Sequence, residues 1–215
     1  MPEATGARRF PLLLNIATLV VAVSSALVAF FQYNAARKAY SAQSRAFVLS
    51  NSLQLINYGG KGPTDDETPR WLINPIIENL GNTPTSELKF SMDILINVFA
   101  NTEVFEQRNP YKLRFDQGLL GPRSQMASGI AIFGPSNLTP LSGRKAPIGA
   151  IGVIKYKDIF GDQHLTEYCY SAIIPPLDVK DYPKGQPIRL NGAFCEKHNC
   201  ADAECGPDWE RRARE

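Results

Sequence analysis

The chain has 215 residues, 20% of them charged and 44% hydrophobic, and a formal net charge of +2. So small a charge, with no Lys/Arg run longer than two residues, excludes the basic patch that nucleic-acid binding requires. The length leaves room for a single globular domain of about 150 residues, large enough to bury its own core. Glycine and proline, 16 residues each, are scattered along the chain, mostly as single residues, and favour short strands joined by turns.

The first element predicted in chain order is a transmembrane helix over residues 10–33, which makes the lipid bilayer a partner. The run from Pro11 to Tyr33 carries no charge and forms a helix of about 33 Å, enough to cross a bilayer. A cleaved signal peptide is the main alternative, but its apolar region would be only about 7 to 15 residues long. The best cleavage site here, Ser24 to Ala26, lies inside the apolar run, so an uncleaved single-pass anchor is preferred.

The orientation of this helix depends on the basic residues at its two ends. The N-terminal tail, residues 1–9, ends in two arginines, whereas Arg37 and Lys38 follow the span, so the positive-inside comparison is nearly tied. A short basic tail before the first apolar segment usually stays inside, which predicts an extracytoplasmic domain; a cytoplasmic domain is the alternative. Residues 34–45 contain neither glycine nor proline and predict a helical stalk.

Alternating hydrophobicity begins near residue 46, and the clearest strand runs from Leu88 to Phe99. Every second residue of its first part is apolar and most of those between are polar, as in a strand with one face against a core. The turn NLGNTPTSE separates it from the apolar run WLINPIIENL, so the two runs are predicted to be consecutive antiparallel strands. Pro75 in the first run lacks an N–H for pairing and predicts an edge strand or a bulge.

A second hairpin is predicted from Gly149 to Ile174, where two apolar runs flank a polar turn. Alternation along the returning strand divides its residues between two faces. One face carries Leu165 and Cys169, and Cys169 is predicted to point into the core. The other face carries His164, Thr166, Tyr168 and Tyr170.

These elements define the expected fold class. Further candidates at 46–58 and 125–133 bring the count to about six or seven short strands without a long amphipathic helix among them. The prediction is a mainly β protein with an N-terminal transmembrane helix and stalk, followed by an antiparallel β-sandwich-like domain over residues 46–190. A partly open β-barrel is the alternative. Residues 191–215 are predicted to form a C-terminal tail that contains cysteines.

Four short motifs follow one another along the chain. They are an Arg-Ala-aromatic-Val start at Arg45–Val48, an Asn-x-Gly-x-Thr-Pro turn at Asn79–Pro84, a Tyr-x-Asp-x-Phe-Gly hairpin at Tyr156–Gly161 and a Thr-x-x-Cys-like strand at Thr166–Cys169. In this order they resemble a loose group of uncharacterised bacterial single-pass membrane-anchored proteins with a C-terminal β-rich domain. The resemblance covers most of residues 15 to 172. It implies an anchored β-rich domain in a bacterium, and the group carries no assigned activity to transfer.

Signatures of catalysis are absent from the sequence. There is no G-x-S-x-G, no H-E-x-x-H and no G-x-x-x-x-G-K-[ST]. His164 beside the hairpin turn has the chemistry of a general base, but a surface or hydrogen-bonded strand histidine is the preferred interpretation. The acidic triplet at residues 65–67 lacks the alternating ligand pattern of a calcium loop and is interpreted as a solvated loop.

The segment CEKHNCADAEC, residues 195–205, holds three of the four cysteines and one of the two histidines. Four of its residues offer zinc ligands: Cys195, His198, Cys200 and Cys205. The single residue between His198 and Cys200 does not fit the usual spacing of zinc ligands. With Cys169 the count is even, which in an extracytoplasmic domain predicts two disulfides and leaves three connectivities open. Unpaired thiols are the remaining alternative. The preferred disulfide candidates are Cys169, Cys195, Cys200 and Cys205.

The sequence therefore predicts a membrane-anchored binding or assembly module that is not an enzyme and needs neither cofactor nor metal. Its partners are the bilayer and an unidentified protein, and its ligand is left open. The alternatives are an enzyme with a loop-built site around His164 or His198, and a zinc-dependent module at Cys195–Cys205. The expected location is the bacterial inner membrane with the C-terminal domain in the periplasm, and the cytoplasm is the alternative side.

Overall fold

The computed structural model describes residues 9–57, 71–96, 107–127, 131–133, 143–176 and 183–215. The chain divides into two compact units, Met1–Ser44 and Arg45–Glu215. Several features of the sequence lie wholly or partly outside the described residues: the acidic triplet at 65–67, most of the N-terminal tail, the last three residues of the strand predicted over 88–99, residues 128–130 of the candidate at 125–133, and residue 58 of the candidate at 46–58.

The described part of the first unit is one helix, α1, Arg9–Ser44. It contains a 23-residue stretch, Thr18–Tyr40, that is long and apolar enough to cross a membrane and has no part buried within the structure. The signal sequence of a secreted protein satisfies the same criteria of length and apolar composition. The predicted N-terminal apolar helix is confirmed, and it continues without a break to Ser44 through most of the residues expected to form a stalk.

The first sheet of the second unit is antiparallel and has β1 and β2 at its centre. Its strands are β1 Val48–Asn57, β2 Trp71–Asn79, β5 Gln125–Ala127, β6 Ala131–Phe133 and β9 Pro187–Leu190. Along the sheet the order is β5-β2-β1-β9, and β6 pairs with β2 beside β5. The long β1–β2 pairing continues from Val48 opposite Asn79 to Asn57 opposite Trp71.

The second sheet is built on the predicted hairpin, whose two 12-residue strands are in continuous register. Its strands are β3 Ser86–Ile96, β4 Asp116–Gly118, β7 Ala146–Lys157, β8 Gln163–Ile174, β10 Gly192–Phe194 and β11 Cys200–Ala201. The order is β10-β8-β7-β3-β4, with β11 also paired to β8. Short helical segments are the 3-10 turns Pro110–Lys112 and Asp202–Cys205 and the helix α2, Trp209–Arg214.

The main core lies between the two sheets and follows from the two-residue period of their long strands. Apolar residues that point into it are Val48, Leu53, Leu55, Trp71, Ile73 and Ile77 from the first sheet, and Leu88, Phe90, Ile148, Ile154, Tyr168 and Ala172 from the second. Ile94 and Ile96 pack against the same core, so the alternation predicted for this strand is confirmed as far as Ile96. Two facing antiparallel sheets confirm the β-sandwich-like class, and the described strands form no closed barrel.

The direct pairing predicted for β2 and β3 is wrong. β2 pairs with β1 in the first sheet, whereas β3 pairs with β7 and β4 in the second. Turn-forming residues such as those at 80–85 occur both in hairpins and in connections that cross from one sheet to the other. The composition of the turn therefore does not distinguish the two cases, which explains the error. Pro75 does not lie on an edge strand either. The strand β2 is flanked by β1 on one side and by β5 and β6 on the other, and residues 128–130 between those two partners lie outside the described residues.

Both faces of β8 are covered, which corrects the predicted position of Cys169. The alternate residues from His164 to Ala172 face the first sheet, whereas Leu165 and Cys169 lie on the outer face beneath the C-terminal segment. That segment, residues 191–215, contains β10, β11 and α2 and packs on β8 within the second unit. Alternation separates the two sets of residues, but it does not show which set faces the other sheet.

Candidate functional site

One end of the sandwich, called the proximal end, brings together the first three of the four sequence motifs and Thr166, the first residue of the fourth. It comprises residues 45–48 and the turns at 79–85, 119–124 and 157–163. Strand register places them together, because Val48 lies opposite Asn79, Ser86 opposite Lys157, and Lys157 opposite Gln163. The chain enters the domain at this end.

Asn79 fastens the start of the domain to the turn after β2. Its side chain is fully buried, and Oδ1 accepts hydrogen bonds from the N–H groups of Phe47 at 3.1 Å and Gly81 at 2.9 Å. Its Nδ2 donates to the carbonyl oxygens of Thr83 at 2.7 Å and Gly121 at 3.0 Å. Both the oxygen and the nitrogen of the amide are satisfied, so one side chain fixes three loop segments.

Gly81 packs so closely against the start of the domain that only glycine fits. A Cβ at this position would lie 2.6 Å from the Cα of Ala46 and 2.7 Å from the nitrogen of Phe47, and closer still to the carbonyl oxygen of Arg45. All three are backbone atoms, which do not rotate away as the end of a long side chain would. The glycine of the Asn-x-Gly-x-Thr-Pro motif is therefore explained by its close contact with the backbone of the Arg-Ala-aromatic-Val motif.

Two residues of the second sheet hold the start of β1. The hydroxyl of Tyr156 donates to the carbonyl oxygen of Ala46 at 3.2 Å and accepts from the N–H of Val48 at 3.4 Å. The hydroxyl of Thr166 donates to the carbonyl oxygen of Val48 at 2.9 Å. Burial raises the pKa of Tyr156 above its ordinary value, so the hydroxyl retains the proton that it donates. These bonds join the two sheets at the proximal end.

The turn of the second hairpin is organised by Asp158. Its Oδ1 accepts hydrogen bonds from the N–H groups of Phe160 at 2.9 Å and Asp162 at 3.0 Å. Gly161 adopts the positive φ of 87° that the turn requires. The other carboxylate oxygen of Asp158 contacts His164. The turn therefore presents one carboxylate oxygen to the histidine.

His164 lies between two carboxylates and is only 6% exposed. Its Nε2 is 3.2 Å from Oδ2 of Asp158, and its Nδ1 is 2.9 Å from Oδ2 of Asp202. An ionised carboxylate only accepts hydrogen bonds, so between two ionised carboxylates both ring nitrogens donate and the ring is an imidazolium. The ring also stacks on Tyr156 with centroids 5.0 Å apart, which suits a cation.

The pKa shifts of His164 and Asp202 both favour the charged form of the residue. Burial alone would lower the pKa of His164, but the hydrogen bonds and charges of Asp202 and Asp158 outweigh it and raise the pKa. Burial alone would raise the pKa of Asp202, but His164, the N–H of Leu165 and Arg45 outweigh it and lower the pKa. Arg45 contributes an ion pair of 3.2 Å to the same carboxylate oxygen.

This geometry suits a structural clamp better than a catalytic base. A general base needs a ring nitrogen with an available lone pair directed at the substrate, and both nitrogens of His164 are engaged. Asp202 reaches the histidine from 38 residues further along the chain. The three residues His164, Asp158 and Asp202, called the clamp, therefore connect the hairpin turn to the C-terminal segment.

A cleft of about 520 Å³ opens beside the clamp. Trp209 and Gln163 form part of its wall. Its charged lining has both signs and consists of Arg45, Arg214, Asp162, Asp202 and Glu210. A cleft of this volume accommodates a small molecule, and an aromatic ring among charged groups offers both stacking and hydrogen bonds to a polar ligand.

The four cysteines form two disulfides on the outer face of the second sheet. Cys169 is bonded to Cys195 with Cα atoms 5.4 Å apart, and Cys200 to Cys205 with Cα atoms 5.1 Å apart. The first bond ties β8 to the C-terminal segment. The second closes the short loop that presents Asp202 to the clamp. This connectivity is one of the three that the cysteine count leaves open.

An ion pair attaches α2 of the C-terminal segment to β8, and a buried lysine on β7 lies against two aromatic rings on the same face. Oε1 of Glu167 on β8 accepts hydrogen bonds from Arg212 of α2 and from the hydroxyl of Tyr111. The ammonium of Lys155 lies 4.7 Å from the ring centroid of Phe115 and 5.3 Å from that of Tyr111. Burial lowers the pKa of Lys155. The outer face of the second sheet is therefore covered by a second, smaller cluster of buried side chains.

The alternative zinc set is not assembled. Cys195 is bonded to Cys169, no cysteine is free, and Nδ1 of His198 lies 3.8 Å from Oε2 of Glu167. Glu167 also lies within 4.8 Å of the sulfurs of Cys200 and Cys205, but sulfurs bonded to each other are not the thiolates that zinc requires. His198 takes no part in the clamp.

The sequence identifies His164 as a candidate but misses the residues that define its surroundings. It places Asp158 only within the Tyr-x-Asp-x-Phe-Gly hairpin motif, and it gives no local signal for Asp202 or Trp209. Comparisons of the chain with protein-family models, with curated proteins and with solved structures found no match. The resemblance to the group of anchored bacterial proteins stays a prediction.

Proposed function

We propose that this chain is a single-pass protein of the bacterial inner membrane whose β-sandwich-like domain lies in the periplasm and acts as a non-catalytic binding module. The apolar stretch Thr18–Tyr40 supports the anchor by its length and composition. The two disulfides support an oxidising compartment, because cytosolic thiols are kept reduced. The disulfides point to the same side of the membrane that the short basic tail favours.

The cleft beside the clamp is the observation that carries the binding function. His164 has no free nitrogen for proton transfer, so its contribution is to hold Asp202 and the cleft wall in place. Trp209 and the charged groups of both signs face the space that remains. The ligand that fits this lining is a small polar molecule with a surface that stacks on the indole and with groups for hydrogen bonding.

Native mass spectrometry of the full-length protein, extracted from its own membranes in mild detergent, tests the binding function. The wild-type protein should carry an additional small-molecule mass, and Gln163→Trp should lose it because the indole fills the cleft. Gln117→Trp, an exposed position on β4, is the matched control and should retain the mass. A wild-type protein without added mass, or an equal mass on both variants, would contradict cleft binding.

A reporter enzyme that is active only in the periplasm, fused after Glu215, tests the location. The proposal predicts periplasmic activity. Silence of this reporter, together with activity of a cytoplasmic reporter at the same position, would place the domain on the other side of the membrane and remove the support that the disulfides give.

A further inference from the structure

We propose that the cleft beside the clamp binds its small molecule through a planar organic cation, of which a guanidinium group is the simplest case. This ligand class rests on the proposed binding function of the same cleft. The charge balance of the cleft, the flat ring of Trp209 and the carboxylate of Asp162 each support it.

The charges of the cleft are balanced except at one carboxylate. Three cationic groups of the lining each have a carboxylate partner, at 3.2, 3.2 and 3.6 Å respectively: Arg45 with Asp202, His164 with Asp158, and Arg214 with Glu210. The carboxylate of Asp162 lines the same cleft and has no hydrogen-bond or ion-pair partner among the described residues. One negative charge is therefore in excess, and loss of the proton from His164 would increase that excess. The cleft favours a ligand of opposite charge.

Asp162 is fixed through its backbone, which leaves its exposed side chain for a ligand. Its N–H donates to Oδ1 of Asp158 at 3.0 Å, and its carbonyl oxygen accepts from the N–H of Asp158 at 3.0 Å. The next residue, Gln163, begins β8 opposite Lys157 and also lines the cleft. A carboxylate on a fixed backbone, with an amide oxygen next to it, suits a ligand that presents several N–H groups in one plane.

Trp209 provides the flat surface of the cleft and is also held in place. Its indole is partly buried against the cluster formed by Val153, Leu165 and Ala213. Its backbone N–H donates to the carbonyl oxygen of Gly206 at 3.2 Å. The indole attracts a cation over its face more strongly than the other aromatic rings do, so one side chain offers both stacking area and electrostatic attraction.

Together these groups favour a planar cation over other charged ligands. A guanidinium stacks on an aromatic face and donates two parallel N–H bonds to a carboxylate, whereas an ammonium is a compact and strongly hydrated point charge. An anion would meet the unbalanced carboxylate of Asp162 and would find Arg45 and Arg214 already paired. The cleft volume of about 520 Å³ leaves room for the rest of a small molecule beyond its cationic group.

Fluorine NMR of the full-length protein, labelled with 5-fluorotryptophan and kept in a non-ionic detergent, tests this ligand class. The chain has two tryptophans, and Trp209→Phe assigns their resonances. Trp71 is fully buried and serves as the internal reference. The probes are ethylguanidinium chloride, its neutral isostere N-ethylurea, and tetramethylammonium chloride, a cation that is not planar and has no N–H group. Each is titrated at constant ionic strength after dialysis of the protein.

Ethylguanidinium should shift the Trp209 resonance to saturation and leave the Trp71 resonance unchanged. N-ethylurea should bind at least about tenfold more weakly, and tetramethylammonium more weakly than ethylguanidinium. Asp162→Asn should weaken ethylguanidinium binding about tenfold, because a neutral amide replaces the carboxylate. Asp116→Asn, an exposed position on β4 outside the cleft lining, is the matched control and should bind as wild type does.

Four results would overturn the planar-cation assignment. They are the absence of a saturable shift, equal binding of ethylguanidinium and N-ethylurea, tighter binding of tetramethylammonium, and equal affinity of Asp162→Asn and wild type. The comparison of the three probes uses the wild-type protein alone, so it does not depend on the folding of any variant.

The molecule that co-purifies with the protein separates failure of this assignment from failure of the binding function. A mass that Gln163→Trp loses, but whose identified molecule has no planar cation, would overturn the ligand class and leave cleft binding intact. An equal mass on Gln163→Trp and Gln117→Trp would refute cleft binding itself. A mass that survives dialysis should be displaced by ethylguanidinium and not by N-ethylurea, and the reverse result would also overturn the ligand class.

Discussion

The proximal end and the outer face of the second sheet share β8 but are fastened by different chemistry. At the proximal end, buried polar side chains such as Asn79, Tyr156 and His164 hold backbone groups of distant segments. On the outer face, two covalent bonds and the pair between Arg212 and Glu167 hold the C-terminal segment. Hydrogen-bonded contacts depend on close packing and on pH, whereas disulfides depend on the redox state. The two regions should therefore fail under different conditions.

Removing the bond between Cys169 and Cys195 should have the largest effect. These residues are 26 apart in sequence, and loop-closure entropy predicts that Ala at both positions lowers the free energy of unfolding by about 3.5 kcal/mol. The matched change at Cys200 and Cys205, only 5 apart, should cost about 2 kcal/mol. Denaturant unfolding followed by tryptophan fluorescence measures both. A larger loss from the shorter loop would contradict this assignment.

Gly81→Ala should destabilise the proximal end by about 3 kcal/mol, because the added methyl group overlaps fixed backbone atoms of residues 45–47. Gly121→Ala is the matched control in the adjacent turn. Its methyl group would meet only the side chain of Ser124, nearest at 3.4 Å, and should change the unfolding free energy by less than about 0.5 kcal/mol. If both variants unfold alike, the close contact at Gly81 is not a determinant of stability.

His164→Gln should cost about 2 kcal/mol near pH 6, since two hydrogen bonds to charged groups are weakened, and the cost should shrink as the pH rises. The folded-state pKa of His164 lies above its ordinary 6.5, so its contribution is complete below about pH 6.5 and is lost as the pH rises through the folded-state value. The folded-state pKa of Asp202 lies below its ordinary 3.8, so its contribution is present above that pH and is lost as the pH falls through the folded-state value.

Unfolding curves of wild type and His164→Gln between about pH 5 and 9 measure this dependence. The variant that lacks the bond between Cys169 and Cys195, which does not enclose Asp202, is the control from the other region. Its difference from wild type should stay constant over the same range, because a disulfide does not titrate. A difference for His164→Gln that grows with pH would rule out the imidazolium assignment.

The smallest effect is expected at Arg45, whose side chain is 40% exposed in its pair with Asp202. Arg45→Gln should lower the free energy of unfolding by about 0.5 kcal/mol, as solvent screens the pair. Arg211→Gln in α2 is the control. Arg211 and its partners Asp208 and Glu215 are all well exposed, so no measurable change in the free energy of unfolding is expected. A loss at Arg45 as large as that at His164 would mean that the arginine belongs to the clamp itself.

Local periodicity is enough to predict the long strands and the sandwich class, but not the short strands β4, β9, β10 and β11. Alternation along β3 and the paired runs of β7 and β8 can be recognised within a dozen residues, because they express the two faces of a strand. Which strands pair is a long-range property, and the turn between β2 and β3 has the same composition whether the chain doubles back or crosses to the other sheet. The sequence therefore predicts the elements better than their arrangement.

The candidate site could be predicted only in part, for a similar reason. The four cysteines and His164 stand out by type, so they are visible as candidates. Asp202 lies within the cysteine segment, where a carboxylate has no distinguishing neighbours, and it becomes significant only when the loop closed by Cys200 and Cys205 brings it to β8. Leu165 and Cys169 on the outer face of β8 are buried because a second layer covers them, and alternation alone does not separate that case from a core face.

The state of the four cysteines in protein isolated from cells is the most direct test of this account. Alkylation before reduction, followed by peptide mapping, should find Cys169 linked to Cys195, Cys200 linked to Cys205, and no alkylated thiol. Four free thiols would contradict both the covalent closure of the outer face and the placement of the domain outside the cytoplasm.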